Sequence, residues 1–560
     1  MTLCLALAMP GGVRAEPDPG RTLIMPGLGD PDVLSDGSRV LLTGTLDRAG
    51  ARRLKFWESR DLTQFTPAGI YDPSAVDPRH DYCRIWAPDL SLDGGRYVLA
   101  FSALRHAPGT DCPKLGGLFA TAQVTTFIAT SPVGEIAFGP PVPINPGTGL
   151  PRSDVTRGCP AEGCNHAIRI DADLSRATDP GWFFYTWFDR GNNVSAFRLD
   201  APDRVRDILR PYPNYANPRR DVAYEERITE APDHFTRNGI HYLVYSRGHV
   251  HRSYGLSYLM ADSAARFDKA RGAHSLSTPA FTETGPGCVG SGLGRNYRNL
   301  PLVENMGHGS VIEHRGRHYI FYHVGQWRGA GCDGYRRKVY RQALRFRDDG
   351  TIESLTDLYL VWSRAPGRSY ALDVQLGDGT WIAPCVGADI LGRTPSYRFT
   401  GVCPSAPAPR AVHKSEIAQV RLVQSRDGTW GDGAGERQQT VAYDGGEVLR
   451  LDPPGRPPAL AVTWTGTGRR GEAFSLDVVL KDGRVIGPCV DAGLLDRRHA
   501  HAFDGTCPAA PGAGVTPDRV AAFRVCSATG RAFKDWSRAL CETRARPPGA
   551  DRVHIDMGGG

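Results

Sequence analysis

Asp30 stands directly before Pro31, and Glu230 is followed by Ala231 and Pro232. Proline lacks a backbone donor and biases its predecessor away from helix, so neither acid is expected inside one. After Glu230 come a turn signal, Asn238-Gly239, and the run Ile240-His241-Tyr242-Leu243-Val244-Tyr245. Its β-branched and aromatic residues predict a buried strand. A carboxyl at such a strand edge is partly desolvated, which raises its pKa and leaves it protonated and able to donate. Glu230 therefore reads as a general acid, or else as a loop-end acid paired with one of the arginines.

Four further phrases place polar groups just ahead of predicted strands. They are Gly29-Asp30-Pro31-Asp32-Val33, Trp86-Ala87-Pro88-Asp89-Leu90, the segment from Asn165 to Asp173 that holds Asp171, and Gly307-His308-Gly309-Ser310-Val311. Taken singly, each has a structural alternative. Asp30 serves equally as a turn cap, Asp171 as a partner of Arg169, His308 as a core histidine and Trp86 as inner-strand packing.

From Gly27 to about Leu355, short β runs alternate with Gly, Pro, Asp and Asn clusters, and hardly any segment shows helical period. Examples are Tyr97 to Phe101, Trp182 to Phe188 and His318 to Tyr322, several preceded by a polar-Gly turn. Five such units favour a five-bladed β-propeller over residues 20–356. In a propeller each blade's innermost strand begins near the central funnel. Asp30, Asp89, Asp171, Glu230 and His308 would then share one pocket, although far apart in the chain.

The C-terminal third is a duplication. The phrase from Leu372, LDVQLGDGTWIAPCVGADIL, returns from Leu476 as LDVVLKDGRVIGPCVDAGLL, with Cys385 and Cys403 matched by Cys489 and Cys507. It predicts two tandem small β-sandwich or barrel-like modules, 357–453 and 458–547, joined through the proline-rich stretch at 453–458. Residues 548–560 are expected to be a disordered tail.

At 41% hydrophobic and 23% charged, the 560 residues are globular, and the +7 net charge is spread without the basic runs of a nucleic-acid binder. No apolar run reaches the ~18 residues of a membrane span. The apolar stretch from Leu3 to Met9, followed by Val13-Arg14-Ala15, predicts a signal peptide over residues 1–15 and a secreted or periplasmic protein. Setting aside Cys4 leaves twelve cysteines, and the expected neighbours are 83–112, 159–164, 288–332, 385–403, 489–507 and 526–541. Cys159, Cys164 and His166 lack a fourth ligand at zinc-finger spacing. The glycine-rich stretch 285–294 lacks the ending of a phosphate loop and reads as surface. His249 and His251 read as solvent-facing or pocket-lining.

Together these phrases resemble glycoside hydrolase family 43, five-bladed propellers acting on arabinose- and xylose-containing polysaccharides. The likeness extends to Phe56-Trp57-Glu58-Ser59-Arg60-Asp61-Leu62-Thr63-Gln64-Phe65 and to a closing Arg337-Lys338-Val339-Tyr340. The resemblance implies an inverting hydrolase with Asp30 as general base, Glu230 as general acid and Asp171 as a third carboxylate that keeps the acid's pKa raised. It also implies Trp86 and Asp89 beside the sugar, Arg337 on a substrate hydroxyl, and His308 on the funnel axis near a structural calcium or a water. No cofactor is needed for the chemistry. The partner would be a polysaccharide or oligosaccharide. Two departures stand out. Ile170-Asp171-Ala172 replaces an Ile-Asp-Pro phrase, which leaves Asp173 or Asp89 as alternatives, and Asp233 follows the acid's proline. The rival readings are a non-catalytic glycan-binding propeller and a propeller glycosidase of different sugar specificity.

Overall fold

The structure is a computed structural model, and it describes residues 20–47, 51–112, 124–143, 169–175, 182–188, 192–201, 204–209, 229–248, 254–267, 273–277, 280–281, 303–328, 334–363, 368–392, 396–407, 410–425, 437–451, 460–464, 472–495, 499–510, 515–529, 540–547, 550 and 552–557. The architecture is all-β, a five-bladed propeller followed by two β modules. Blade one comprises Leu28–Ser35, Val40–Leu46, Leu54–Ser59 and Thr66–Tyr71. Blade two comprises Asp81–Asp93, Arg96–His106, Val124–Pro132 and Val142–Pro143, and blade three Arg169–Leu174, Trp182–Phe188, Asn192–Ala201 and Arg204–Leu209. Blade four comprises Thr229–Arg237, Ile240–Arg247, Gly255–Ala261 and His274–Ser275. Blade five is built on Val303–His314, Arg317–Arg328 and Gly334–Ala343, and its outer edge is the N-terminal strand Thr22–Pro26. That strand pairs Thr22 with Arg341, so the two ends of the ring close on one sheet.

The inner hairpins follow from local chemistry. Gly94-Gly95, Asn238-Gly239 and Arg315-Gly316 supply two successive positive-φ residues, the turn that suits the strand twist of a tight hairpin. Beyond the turns, apolar alternation buries both faces of each blade against its neighbours. Leu41, Phe56 and Tyr71 pack with Tyr97 and Phe101 between blades one and two, and Tyr242 and Tyr258 pack with Ile320 and Tyr322 between blades four and five.

All five inner strands carry the same irregularity. Register slips after Gly29, Trp86, Ile170, Glu230 and Gly307, and the next residue (Asp30, Ala87, Asp171, Ala231 or His308) has positive φ. The residue before each slip pairs with a second-strand residue: Gly29 with Thr45, Trp86 with Ser102, Ile170 with Thr186, Glu230 with Ser246 and Gly307 with His323. The spacing is sixteen residues each time, so all five hairpins bring the bulge to the same height of the funnel.

Two residues beyond each positive-φ position, a buried oxygen reaches across to the next blade. Asp32 accepts from the N–H of Leu90 at 2.7 Å, Asp89 from Leu174 at 3.0 Å, Asp173 from His234 at 3.0 Å and Asp233 from Val311 at 3.1 Å. Ser310 completes the circuit, accepting from the N–H of Val33 at 3.3 Å while donating to Asp32 at 2.9 Å. The result is a closed polar girdle joining every blade to the next.

The duplicated region forms two sandwiches. In the first, a four-stranded sheet (Trp381–Val386, Ser369–Leu376, Ile417–Ser425, Arg437–Ala442) covers a three-stranded one (Ser396–Phe399, Leu358–Val361, Val448–Arg450) around Trp362, Tyr370 and Leu422. The second repeats the plan with Val485–Val490, Glu472–Leu480, Val520–Thr529 and Leu540–Ala545 over Ala500–Phe503, Leu460–Trp464 and Arg552–Ile555. The last strand corrects the expectation of a disordered tail for residues 552–557. It pairs in parallel with Leu460–Trp464, and Val553, Ile555 and Met557 alternate into the core. Cys83–Cys112, Cys385–Cys403, Cys489–Cys507 and Cys526–Cys541 are disulfides, as the spacings predicted. The pairs 159–164 and 288–332, His166, residues 285–294, His249, His251 and the signal segment 1–15 lie outside the described residues.

Candidate active site

The bulges aim two kinds of position into the funnel. The positive-φ position holds Asp30 in blade one, Asp171 in blade three and His308 in blade five; the position before it holds Glu230 in blade four. Left-handed backbone at a residue other than glycine costs roughly 1–2 kcal/mol, and Asp and Asn tolerate it best. Side chains on second strands hold these bulges in place. The N–H of Ala87 donates to Thr45 Oγ1 at 2.8 Å, that of Ala231 to Thr186 Oγ1 at 3.0 Å and that of His308 to Ser246 Oγ at 2.7 Å.

At Asp30 this support is a histidine. The N–H of Asp30 donates to His323 Nδ1 at 3.0 Å, which places the ring proton on Nε2, where it is buried with no hydrogen-bond partner among the described residues. Arg337, on the third strand of blade five, puts Nη1 2.7 Å from Asp30 Oδ2, while the Nδ1 atoms of His308 and His323 each lie 3.4 Å from Oδ1. Burial alone would raise the Asp30 pKa. The opposing field of the Arg337 guanidinium, with smaller contributions from the two histidines, holds it well below the usual carboxylate range. Burial in turn pushes both imidazoles down, His323 to about 3. Asp30 is thus an ionised acceptor facing neutral histidines.

Glu230 has the opposite environment. Burial raises its pKa, the Asp30 charge adds to the rise, and two donors oppose it. Tyr254 Oη donates to Oε1 at 2.6 Å and Asn192 Nδ2 donates to Oε2. Asp171 is also pushed well up, by burial first and then by the Glu230 charge, against hydrogen bonds from Thr186 Oγ1 (3.0 Å) and the N–H of Ala231 (3.2 Å) to its Oδ2. Two like charges in one desolvated space resist ionising together, so Glu230 and Asp171 titrate as a unit that keeps a proton to higher pH.

Both acids owe their outside partner to a missing side chain. A Cβ on Gly29 would lie 2.0 Å from the Arg337 guanidinium carbon, and one on Gly307 would lie 1.8 Å from Tyr254 Cε1. Arg337 crosses Gly29 to reach Asp30, and Tyr254 crosses Gly307 to reach Glu230.

Asp30, Glu230, Asp171, His308 and Arg337 are therefore brought together, with Arg337 placed on a carboxylate. Asp89 and Asp173, alternatives for the third carboxylate, are not: both belong to the girdle, and each accepts a main-chain N–H of the next blade. Asp89, expected beside the sugar, is 4% exposed. Trp86 is half-buried in the slot before the blade-two slip and packs against Cys83, Leu104 and Val124. The carboxylate facing the His308 ring is paired with Arg337, whereas a calcium ion takes six to eight oxygen ligands. Among the described residues no group of three His, Cys, Asp or Glu side chains is arranged to hold a metal. The residues missed in the sequence are His323, Tyr254, Asn192 and Asp47, all outside the inner strands. The sixteen-residue spacing from the bulge phrases leads to His323.

The model for the family described as glycosyl hydrolases family 43 matches residues 23–352, more than half of the chain. Similar solved structures include an α-L-arabinofuranosidase from Lactobacillus brevis, 17% identical, covering 59% of this chain and 94% of that one with a TM-score of 0.42. An endo-1,4-β-xylanase from Bacteroides thetaiotaomicron is 18% identical over 59% and 94% at 0.38, and an arabinanase from Bacillus subtilis is 16% identical over 59% and 97% at 0.35. Comparison with curated proteins gives no match.

Proposed function

Because the chain belongs to glycosyl hydrolases family 43, and so is a glycoside hydrolase, we propose that it cleaves arabinofuranosyl or xylosyl linkages of polysaccharides with inversion at the anomeric carbon. Asp30 is the base and Glu230 the acid. The observation that carries the assignment is that the surroundings drive the two pKa values apart, Asp30 down and Glu230 up. Glu230 gives its proton to the glycosidic oxygen as the bond from that oxygen to the anomeric carbon breaks. A water attacks the carbon from the opposite face, and its proton passes to Asp30. The sugar leaves as a hemiacetal of inverted configuration and the leaving group as an alcohol. Burial, then the Asp30 charge, holds the Glu230 pKa above the usual carboxyl value, and Asp171 is the third carboxylate that helps the acid keep its proton. The carbohydrate meets the enzyme outside the cell or in the periplasm, a setting supported by the disulfides.

The test is sugar release from arabinan, arabinoxylan and xylan, with the first-formed anomer read by proton NMR. The expected result is an inverted product from the wild type, with Asp30→Gly regaining turnover on an activated aryl glycoside when azide is added and yielding a glycosyl azide. Retained configuration, or full turnover by Asp30→Asn and Glu230→Gln, would refute the assignment. Polymer binding without any sugar release would favour the glycan-binding alternative.

A further inference from the structure

We propose that Asp47 is the positioning residue of the base, holding Arg337 across Gly29 so that the guanidinium faces Asp30. This rests on the reading of Asp30 as the base. Asp47 follows the second strand of blade one, and its side chain is 5% exposed. One carboxylate oxygen accepts the Arg337 N–H at 2.6 Å and the other accepts Nε at 2.7 Å. The same carboxylate therefore fixes both the main chain of the arginine and the near edge of its guanidinium. With Nε taken, Nη1 is left to reach Asp30 Oδ2 at 2.7 Å. The Asp47 main chain is itself anchored: its N–H donates to the carbonyl of Gly27, whose own N–H donates to the carbonyl of Arg337.

This chain of contacts runs from blade one to blade five and back, across the seam where the ring closes. A long arginine side chain loses much rotamer freedom when fixed, and its fork is effective only if preorganised. Without Asp47, Arg337 would lose the carboxylate that fixes its main chain and its Nε, and the guanidinium would be held less firmly against Asp30. The groups facing Asp30 are Arg337, His308 and His323 from blade five and Thr45 from blade one, with the Glu230 and Asp171 charges felt from blades four and three. Of these Arg337 contributes most to keeping Asp30 ionised.

The sign follows. The base must be ionised, so kcat/KM falls as pH drops through the Asp30 pKa. Loosening Arg337 lets burial dominate, raises that pKa and moves the acidic limb to higher pH. The measurement is the pH profile of kcat/KM on a soluble aryl glycoside, for wild type, Asp47→Asn and Gly29→Ala. Asp47→Asn keeps the shape but loses the charge; Gly29→Ala leaves the Asp47 carboxylate in place and displaces the guanidinium. Both are expected to raise the acidic limb by about one unit or more, the scale of losing a close opposite charge. Asp89→Asn, which weakens the girdle, should lower the melting temperature and leave the limb where it is. Lower kcat/KM in Asp47→Asn and Gly29→Ala with an unmoved limb would make Asp47 a scaffold residue and overturn the proposal. Failure of the base assignment gives a separate result, wild-type turnover by Asp30→Asn.

Discussion

Two sets of carboxylates lie two or three residues apart along the same strands and behave as opposites. The girdle carboxylates Asp32, Asp89, Asp173 and Asp233 each accept a main-chain N–H of the next blade. The funnel acids Asp30, Asp171 and Glu230 face one another and other ionisable side chains, although Asp171 also accepts the N–H of Ala231. In the first set burial is offset by oriented amide dipoles, so the acids hold the structure together. In the second, burial and like charge are left partly unbalanced, and the imbalance is a proton held where a reaction can use it. What an aspartate does in this propeller depends on which side of the bulge it lies.

The sharpest way to separate the sets is to neutralise one acid from each. Glu230→Gln should lower kcat/KM on unactivated polysaccharide by about 10²–10⁴, the usual weight of a general acid. It should also raise the melting temperature at pH 7. Because the folded pKa of Glu230 lies above its unfolded value, its contribution to stability is complete at low pH and is lost as pH rises through the folded pKa. Calorimetry showing a lower melting temperature would contradict this. Asp89→Ala should do the reverse, losing about 1–3 kcal/mol of stability through the orphaned Leu174 N–H while the folded fraction turns over normally. Lost turnover with unchanged melting would instead return Asp89 to the sugar site.

Smaller effects sharpen the picture within the funnel. Asp171→Asn removes a negative charge from beside Glu230, so the acid should lose its proton at lower pH and the basic limb of kcat/KM should move down by about one unit. A limb that stays put would mean the two acids do not share a proton. Tyr254→Phe removes a donor that stabilises ionised Glu230, so the same limb should move slightly up; an unmoved limb would show that Tyr254 acts only as packing.

Much of the fold could be read in the sequence because it is written locally. Asn238-Gly239 and Gly94-Gly95 announce hairpins by φ alone, and the duplicated Pro-Cys-Val phrases announce paired modules. The bulge phrases were legible for the same reason: Asp30-Pro31, Ala87-Pro88 and Ala231-Pro232 combine a residue biased away from helix with a following acid. Roles were harder. Asp89 and Asp173 look like Asp30 and Asp171 in any short window, and only the neighbouring blades decide which of them faces another charge. His323 sits on a strand whose alternation is explained by packing, and Tyr254 lies just ahead of one, Gly255–Ala261. Asp47 serves an arginine 290 residues away. The tail at 552–557 was misjudged because its alternation, Val553 to Met557, is only five residues long before a run of glycines.

The strand Thr22–Pro26 completes blade five by pairing with Gly334–Ala343, which also carries Arg337. Contacts so distant in sequence are among the last a folding chain can make. Asp30 follows that strand by four residues, so the base meets its arginine only when the ring has shut. A ribosome-bound or partly folded chain would own every acid of the site and still lack the counter-charge that sets the first of them, which ties the onset of hydrolysis to the final step of assembly.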